Sequence, residues 1–132
     1  MIGIDTNVLV RYIVQDDPRQ ASAANTLIEN VCNRDNPAFI NHIILYELVW
    51  VLRRNYKVTR NKIADIIEQI MRTAQFQVHA PQLVWRALQE FKNGSADFPD
   101  CLVAQINLAN DCPETVTFDI NASKTKGFRL LS

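Results

Sequence analysis

The sequence predicts an α/β fold: a parallel sheet with helices on both faces. Two observations predict it. Short apolar runs alternate along the chain with longer segments whose apolar residues recur at helical spacing. The helical segments open on capping residues or proline, which separates them cleanly from the runs before them. Strand–helix alternation of this kind pairs its strands in parallel, because each helix carries the chain back across the sheet.

The elements follow in order. Met1-Ile2-Gly3-Ile4 reads as a short buried strand ending at Asp5. Val8, Leu9, Tyr12 and Ile13 then recur at helical spacing. Asp17-Pro18 is an N-cap followed by proline at the first helical position. Ala21, Ala24, Leu27, Ile28 and Val31 give that helix a period of about 3.6 residues. After Pro37, Ala38-Phe39-Ile40 reads as a second strand. Asn41 caps a helix running from about His42 to Asn55, and Thr59 caps the next, striped by Ile63, Ile66, Ile67, Ile70 and Met71. Phe76-Gln77-Val78 is a third strand, and Pro81 opens a helix that Asn93-Gly94-Ser95 ends. Asp97 opens a last long helix to about Asn110. Val116-Thr117-Phe118 and Phe128-Arg129-Leu130-Leu131 read as the closing strands.

The chain has 132 residues, and 48% of them are hydrophobic. A single domain over residues 1–132 is expected, large enough to fold around its own core. No apolar run approaches the ~18 residues of a membrane span. The opening residues lack a basic segment and reach Asp5 at once, unlike a signal peptide. A soluble, cytoplasmic protein without a membrane partner is expected. Cys32, Cys101 and Cys112 form no CxxC pair and read as reduced cysteines filling apolar space. With only His42 and His79 beside them, a zinc site is not expected.

Charge is balanced, 14 Lys+Arg against 14 Asp+Glu, so composition demands no nucleic-acid partner. Its distribution says more. Arg53, Arg54, Lys57, Arg60 and Lys62 cluster with no acid between Glu47 and Asp65. Such a patch either holds phosphates or is an ordinary solvated corner between helices.

The acids carry the chemistry. Glu47 lies in Ile43-Ile44-Leu45-Tyr46-Glu47-Leu48-Val49-Trp50-Val51-Leu52, a helix apolar on nearly every face and therefore expected to be buried on most of them. No Lys or Arg stands at i±3 or i±4 from it, so a metal ion or a distant Arg would serve as partner, unless Glu47 lies on a narrow exposed stripe. Asp5 and Asp119 each follow a predicted strand, at the sheet edge where ligands of such folds bind. Asp97 and Asp100, three apart, share a helix face. Each Asp taken singly can be a helix cap. Together they suit a hard cation. Mg²⁺ and Mn²⁺ prefer oxygen ligands, and bound metal can activate water for in-line attack on a phosphodiester.

Four segments resemble those of PIN-domain nucleases, closest to the bacterial VapC-type toxin ribonucleases. They are Ile4-Asp5-Thr6-Asn7-Val8-Leu9-Val10, the helix around Glu47, Ala96-Asp97-Phe98-Pro99-Asp100-Cys101-Leu102-Val103-Ala104, and Thr117-Phe118-Asp119. The resemblance covers nearly the whole chain. It implies four or five parallel strands flanked by helices. It also implies an endoribonuclease using Mg²⁺ (Mn²⁺ possible), homodimeric and inhibited by a small antitoxin. Asp5, Glu47, Asp100 and Asp119 match the catalytic acids. Asp5 and Asp100 match direct metal ligands, with Glu47 and Asp119 acting directly or through water. Thr6 resembles the hydroxyl supporting the first Asp, and Asn7 the residue fixing its turn. Asp97 either touches metal-bound water or only caps its helix. Pro99 departs from the usual helix former at that place, but a first helical turn tolerates it.

Three rivals remain. An inactive PIN-fold binding module would keep the fold and lose cleavage. A haloacid-dehalogenase-like phosphatase wants a second Asp two positions after the first, where this chain has Asn7. A phosphorelay receiver wants paired N-terminal acids and a late Lys, for which Lys124 is poorly placed.

Overall fold

The structure, a computed structural model, describes residues 1–132. Its five strands are all parallel-paired, and six α-helices alternate with them. The expected single domain packs as two compact units, Met1–His79 and Ala80–Ser132. Hydrogen bonding divides the strands correspondingly into a three-stranded and a two-stranded ladder. No helix is long and apolar enough to cross a membrane.

The first unit holds β1 (Ile2–Gly3), β2 (Ala38–Ile40) and β3 (Phe76–Val78), in the order β1-β2-β3. Ile2 faces Ala38, and Ala38 faces Phe76. Ile4 N–H donating to Phe39 O and His79 N–H donating to Ile40 O carry both ladders one residue further. The expected burial of the first strand fails. Ile4, just past the strand, is buried, but Met1, Ile2 and Gly3 are exposed, since β1 is an edge strand of this ladder.

Helix α1 (Thr6–Val14) is capped by Asp5 and ends on Gln15 in the left-handed region. Helix α2 (Pro18–Asn25) starts as its cap predicts: Asp17 Oδ1 accepts from Gln20 N–H at 3.0 Å. It then runs into a π-helical turn, Thr26–Val31. The wider turn breaks the predicted period. Ala21, Ala24 and Ile28 stay buried while Val31 is turned out. Helix α3 (His42–Tyr56) is capped by Asn41, and α4 (Arg60–Arg72) by Thr59.

Helix α3 corrects a second expectation. Ile44, Leu45, Leu48, Val49 and Leu52 form its buried stripe. Ile43, Tyr46 and Trp50 face outward despite their apolar character, at 69%, 52% and 49% exposure. Glu47 lies on that exposed side, so its carboxylate faces solvent rather than the core. Arg54 stacks over the Trp50 ring at 5.0 Å, which covers part of this apolar surface with a cation.

The second unit holds α5 (Pro81–Asn93), α6 (Phe98–Ala109), β4 (Thr115–Thr117) and β5 (Phe128–Leu130). Leu83, Val84, Ala87, Leu88 and Phe91 form the buried face of α5. Phe91 meets Phe98 of α6 edge-on, with ring centroids 5.9 Å apart. Pro99 occupies the first turn of α6 without disturbing it. A 3-10 turn, Ala122–Lys124, joins β4 to β5. Cys32 and Cys101 are buried as expected, whereas Cys112 is exposed after the end of α6; none is bridged.

Candidate active site

Parallel pairing brings the carboxyl ends of β1, β2 and β3 to one edge of the first unit. Asp5 follows β1 there. Its Oδ1 accepts from Thr6 N–H at 2.8 Å, which starts α1 and fixes the carboxylate at the turn. The next hydroxyl reaches across to another helix: Thr6 Oγ1 donates to Glu47 Oε1 at 3.1 Å. Thr6 is one of the few buried polar residues. Burial and two hydrogen bonds make it the joint between the first strand's acid and that of α3.

Asp5, Thr6, Asn7, Glu47, Arg11 and Tyr56 line a cleft of about 340 Å³ in this unit. Each of its two carboxylates has one oxygen engaged by Thr6. The partner sought for Glu47 is therefore a neutral hydroxyl rather than a close cation, and its exposure to water makes that sufficient.

The second unit groups the other acids. Asp97 is at the N-cap position of α6 but makes no side-chain capping bond. Asp100 lies in the first turn of that helix. Burial pushes the Asp100 carboxyl above its ordinary range, and the negative charges of Asp97 and Asp119 push it further in the same direction. Asp119 is both a neighbour of Asp100 and a local cap. Its Oδ1 accepts from Asn121 N–H at 2.8 Å and from Ala122 N–H at 3.3 Å, which ties down the 3-10 turn. The structural role foreseen for Asp119 is thus real, and it leaves Asp119 close enough to Asp100 to repel it.

Neither unit by itself gathers three His, Cys, Asp or Glu side chains into a metal-ligating cluster. The chemistry of the donors still fits a hard cation: every candidate is a carboxylate or hydroxyl oxygen, and the carboxylates around Asp100 repel one another as they stand. The soft ligands are elsewhere. His42 Nε2–H donates to His79 O at 2.6 Å, and the two rings lie 5.0 Å apart. Burial lowers the His42 pKa, the bond to His79 opposes that shift, and the His79 charge adds to it.

The basic residues occupy the corner between α3 and α4. Arg53 and Arg54 end α3, Lys57 caps it in the left-handed region, and Arg60 and Lys62 begin α4.

Sequence reasoning missed one cluster. Arg11 Nε donates to Gln20 Oε1 at 2.6 Å, and its Nη1 donates to Tyr56 OH at 3.2 Å and to Asp16 Oδ1 at 3.3 Å. Tyr56 OH in turn donates to Asp16 Oδ2 at 2.8 Å. The hydrogen bond with Tyr56 raises the Arg11 pKa above its already high value, burial opposes that rise, and Asp16 adds to it. The available signal was weak: Arg11 stands four residues after Asn7, on the same helix face. Nothing in the spacing announces Asp16 or Tyr56.

Comparison with known proteins decides the family. The PIN domain model matches residues 2–127, which spans both compact units. The chain belongs to the PIN domain family. This PIN-domain chain is also similar to a VapC ribonuclease of Aquifex aeolicus (strain VF5), at 22% identity over 129 residues, 98% of this chain and 94% of the relative. The segments carrying Asp5, Glu47 and Asp97–Asp100, as well as Asp119, all lie inside the matched span of the PIN domain.

Proposed function

We propose that this protein is a metal-dependent endoribonuclease, the VapC-type toxin of a toxin–antitoxin pair acting in the cytoplasm. The reading treats the chain as one PIN domain over residues 1–132. The observation that carries it is the hydrogen bond from Thr6 to Glu47, which joins an acid-bearing turn to an acid-bearing helix 41 residues away. Family membership and the similarity to a VapC ribonuclease support the same reading.

Asp5 and Asp100 are proposed as direct ligands of Mg²⁺ or Mn²⁺, with Glu47 and Asp119 completing the set directly or through water. A divalent cation bound there would make water nucleophilic near neutral pH and offset charge on the phosphoryl oxygens. Thr6 keeps Glu47 oriented, and the Thr6 N–H keeps Asp5 oriented. Asn7 lines the cleft beside them as part of the substrate wall. Asp97 adds negative charge next to Asp100. Arg53, Arg54, Lys57, Arg60 and Lys62 would follow the RNA backbone away from the acids. A homodimer and a small antitoxin partner complete the proposal.

The test is cleavage of a mixed structured RNA pool with Mg²⁺, Mn²⁺ or EDTA, comparing wild type with Asp5→Asn. Cleavage that needs the metal and vanishes in the variant is expected. Folded, antitoxin-free wild type that cuts nothing with either metal would favour an inactive binding module. Hydrolysis of a small phosphate monoester with none of RNA would favour a phosphatase.

A further inference from the structure

We propose that Arg11 is a phosphate-positioning residue, a guanidinium braced by Gln20, Tyr56 and Asp16 so that its free nitrogen can hold an RNA phosphodiester at the cleft of Asp5 and Glu47. The inference rests on the nuclease reading and adds to it a residue outside the acidic set and outside the basic corner.

Arg11 is tied to three different segments. Gln20 belongs to α2, Tyr56 ends α3, and Asp16 lies in the turn between α1 and α2. The bond between Tyr56 and Asp16 closes the arrangement, so the acceptors hold one another as well as the cation. All of these bonds use Nε and Nη1. Nη2, with its two N–H groups, has no partner in the protein.

A guanidinium held this way has lost its side-chain freedom before any ligand arrives. Its remaining nitrogen presents two N–H donors that phosphate oxygens can accept. An exposed pair with Asp16 alone would contribute little to stability and needs no such bracing. The location gives the brace a use. Arg11 lines the cleft that holds Asp5, Thr6 and Glu47. It also lines a neighbouring groove of about 310 Å³, together with Asn7, Gln20 and Leu27. Asn7 and Arg11 are thus shared between the acidic cleft and a groove without acids. An RNA strand leaving the carboxylates toward that groove would meet a fixed positive charge at the boundary. A polyanion approaching carboxylates needs such a charge.

The experiment uses the full chain carrying Asp5→Asn to stop cleavage, and a short fluorescein-labelled single-stranded RNA of mixed sequence. Affinity is measured across a range of KCl concentrations. Adding Arg11→Gln is expected to weaken binding about tenfold at low salt, as for a charged hydrogen bond. It should also make the salt dependence shallower by about one neutralised phosphate, a slope change of ~0.7. Arg11→Lys should keep the slope and recover part of the affinity.

Unchanged affinity and slope in folded Arg11→Gln would overturn the proposal. Should that variant not fold, Arg11→Lys decides, and a flattened slope in it overturns the proposal. If the Asp5→Asn protein binds no RNA and wild type cuts none, the nuclease reading fails and this proposal falls with it. RNA binding that ignores Arg11 removes only the proposal.

Discussion

Thr6 gives its single hydroxyl proton to Glu47 Oε1 across 3.1 Å, while its backbone N–H is held by Asp5 at 2.8 Å. One residue therefore sets the orientation of two acids from distant parts of the sequence. Removing the hydroxyl should cost function more than stability. Thr6→Val keeps shape and volume but leaves Glu47 unheld. RNA cleavage is expected to drop roughly 10–100-fold, the range for losing a support to a metal-binding side chain. Thr6→Ser should retain most activity. Thermal melting of Thr6→Val should show a loss of only about 1 kcal/mol.

Asp100 predicts a trade between stability and activity. Its folded-state pKa lies above the ordinary carboxylate value because of burial and the charges of Asp97 and Asp119. A carboxyl raised in this way favours the native state in acid. That contribution is lost as pH climbs from the unfolded value through the folded one. At neutral pH the ionised Asp100 therefore opposes folding when no metal is present. Asp100→Asn should melt about 1–3 °C higher than wild type in EDTA at pH ~7, the size expected for a fraction of a kcal/mol in a partly solvated group. The difference should fade at low pH. Mg²⁺ should stabilise wild type but not the variant. A lower melting temperature for Asp100→Asn in EDTA would contradict the assignment.

The basic corner is tested by salt. Replacing Arg53, Arg54, Lys57, Arg60 and Lys62 together by Ser should weaken single-stranded RNA binding and flatten its dependence on KCl, by ~0.7 in slope for each phosphate no longer neutralised. The melting temperature should change little, because these side chains lie at a helix corner rather than in the core. An unchanged slope would reduce the corner to a solvated surface.

Helix α3 offers a paired test of its orientation. Leu48 is fully buried, whereas Tyr46 is 52% exposed, and they flank Glu47 on either side. Leu48→Ala should cost about 2–5 kcal/mol in urea unfolding, and Tyr46→Ala within about 0.5 kcal/mol. Similar losses would mean that the outward face is buried in solution by something else.

The element order is legible because caps and periodicity agree in this chain. Asp17, Asn41 and Thr59 each accept from the helix that their position predicts, and Ile63, Ile67 and Ile70 of the predicted α4 stripe are buried. The reading fails where hydrophobicity alone is used. Ile43, Tyr46 and Trp50 read as core and are outside, since a residue's polarity does not report which neighbours the fold supplies. Val31 leaves its predicted stripe because one wide helical turn shifts every later residue, and no residue type announces such a turn. In the site, individual acids can be named from their positions after strands. The joint made by Thr6 and the brace around Arg11 depend on contacts between residues 41 and 45 apart, which no local pattern encodes.

The bonds to Thr6 also make the two oxygens of each acid in the first unit unequal. Asp5 keeps Oδ2 and Glu47 keeps Oε2 for a ligand, while their other oxygens are held by Thr6. Each would offer the proposed cation that open oxygen first, without disturbing the bond that orients it. Small octahedral ions accept one-point carboxylates and fill their remaining places with water, whereas Ca²⁺ favours wide, often bidentate shells. If the proposed cation is held here, Asp5, Thr6 and Glu47 would select it by size as well as by charge, and Ca²⁺ is expected to occupy the site poorly.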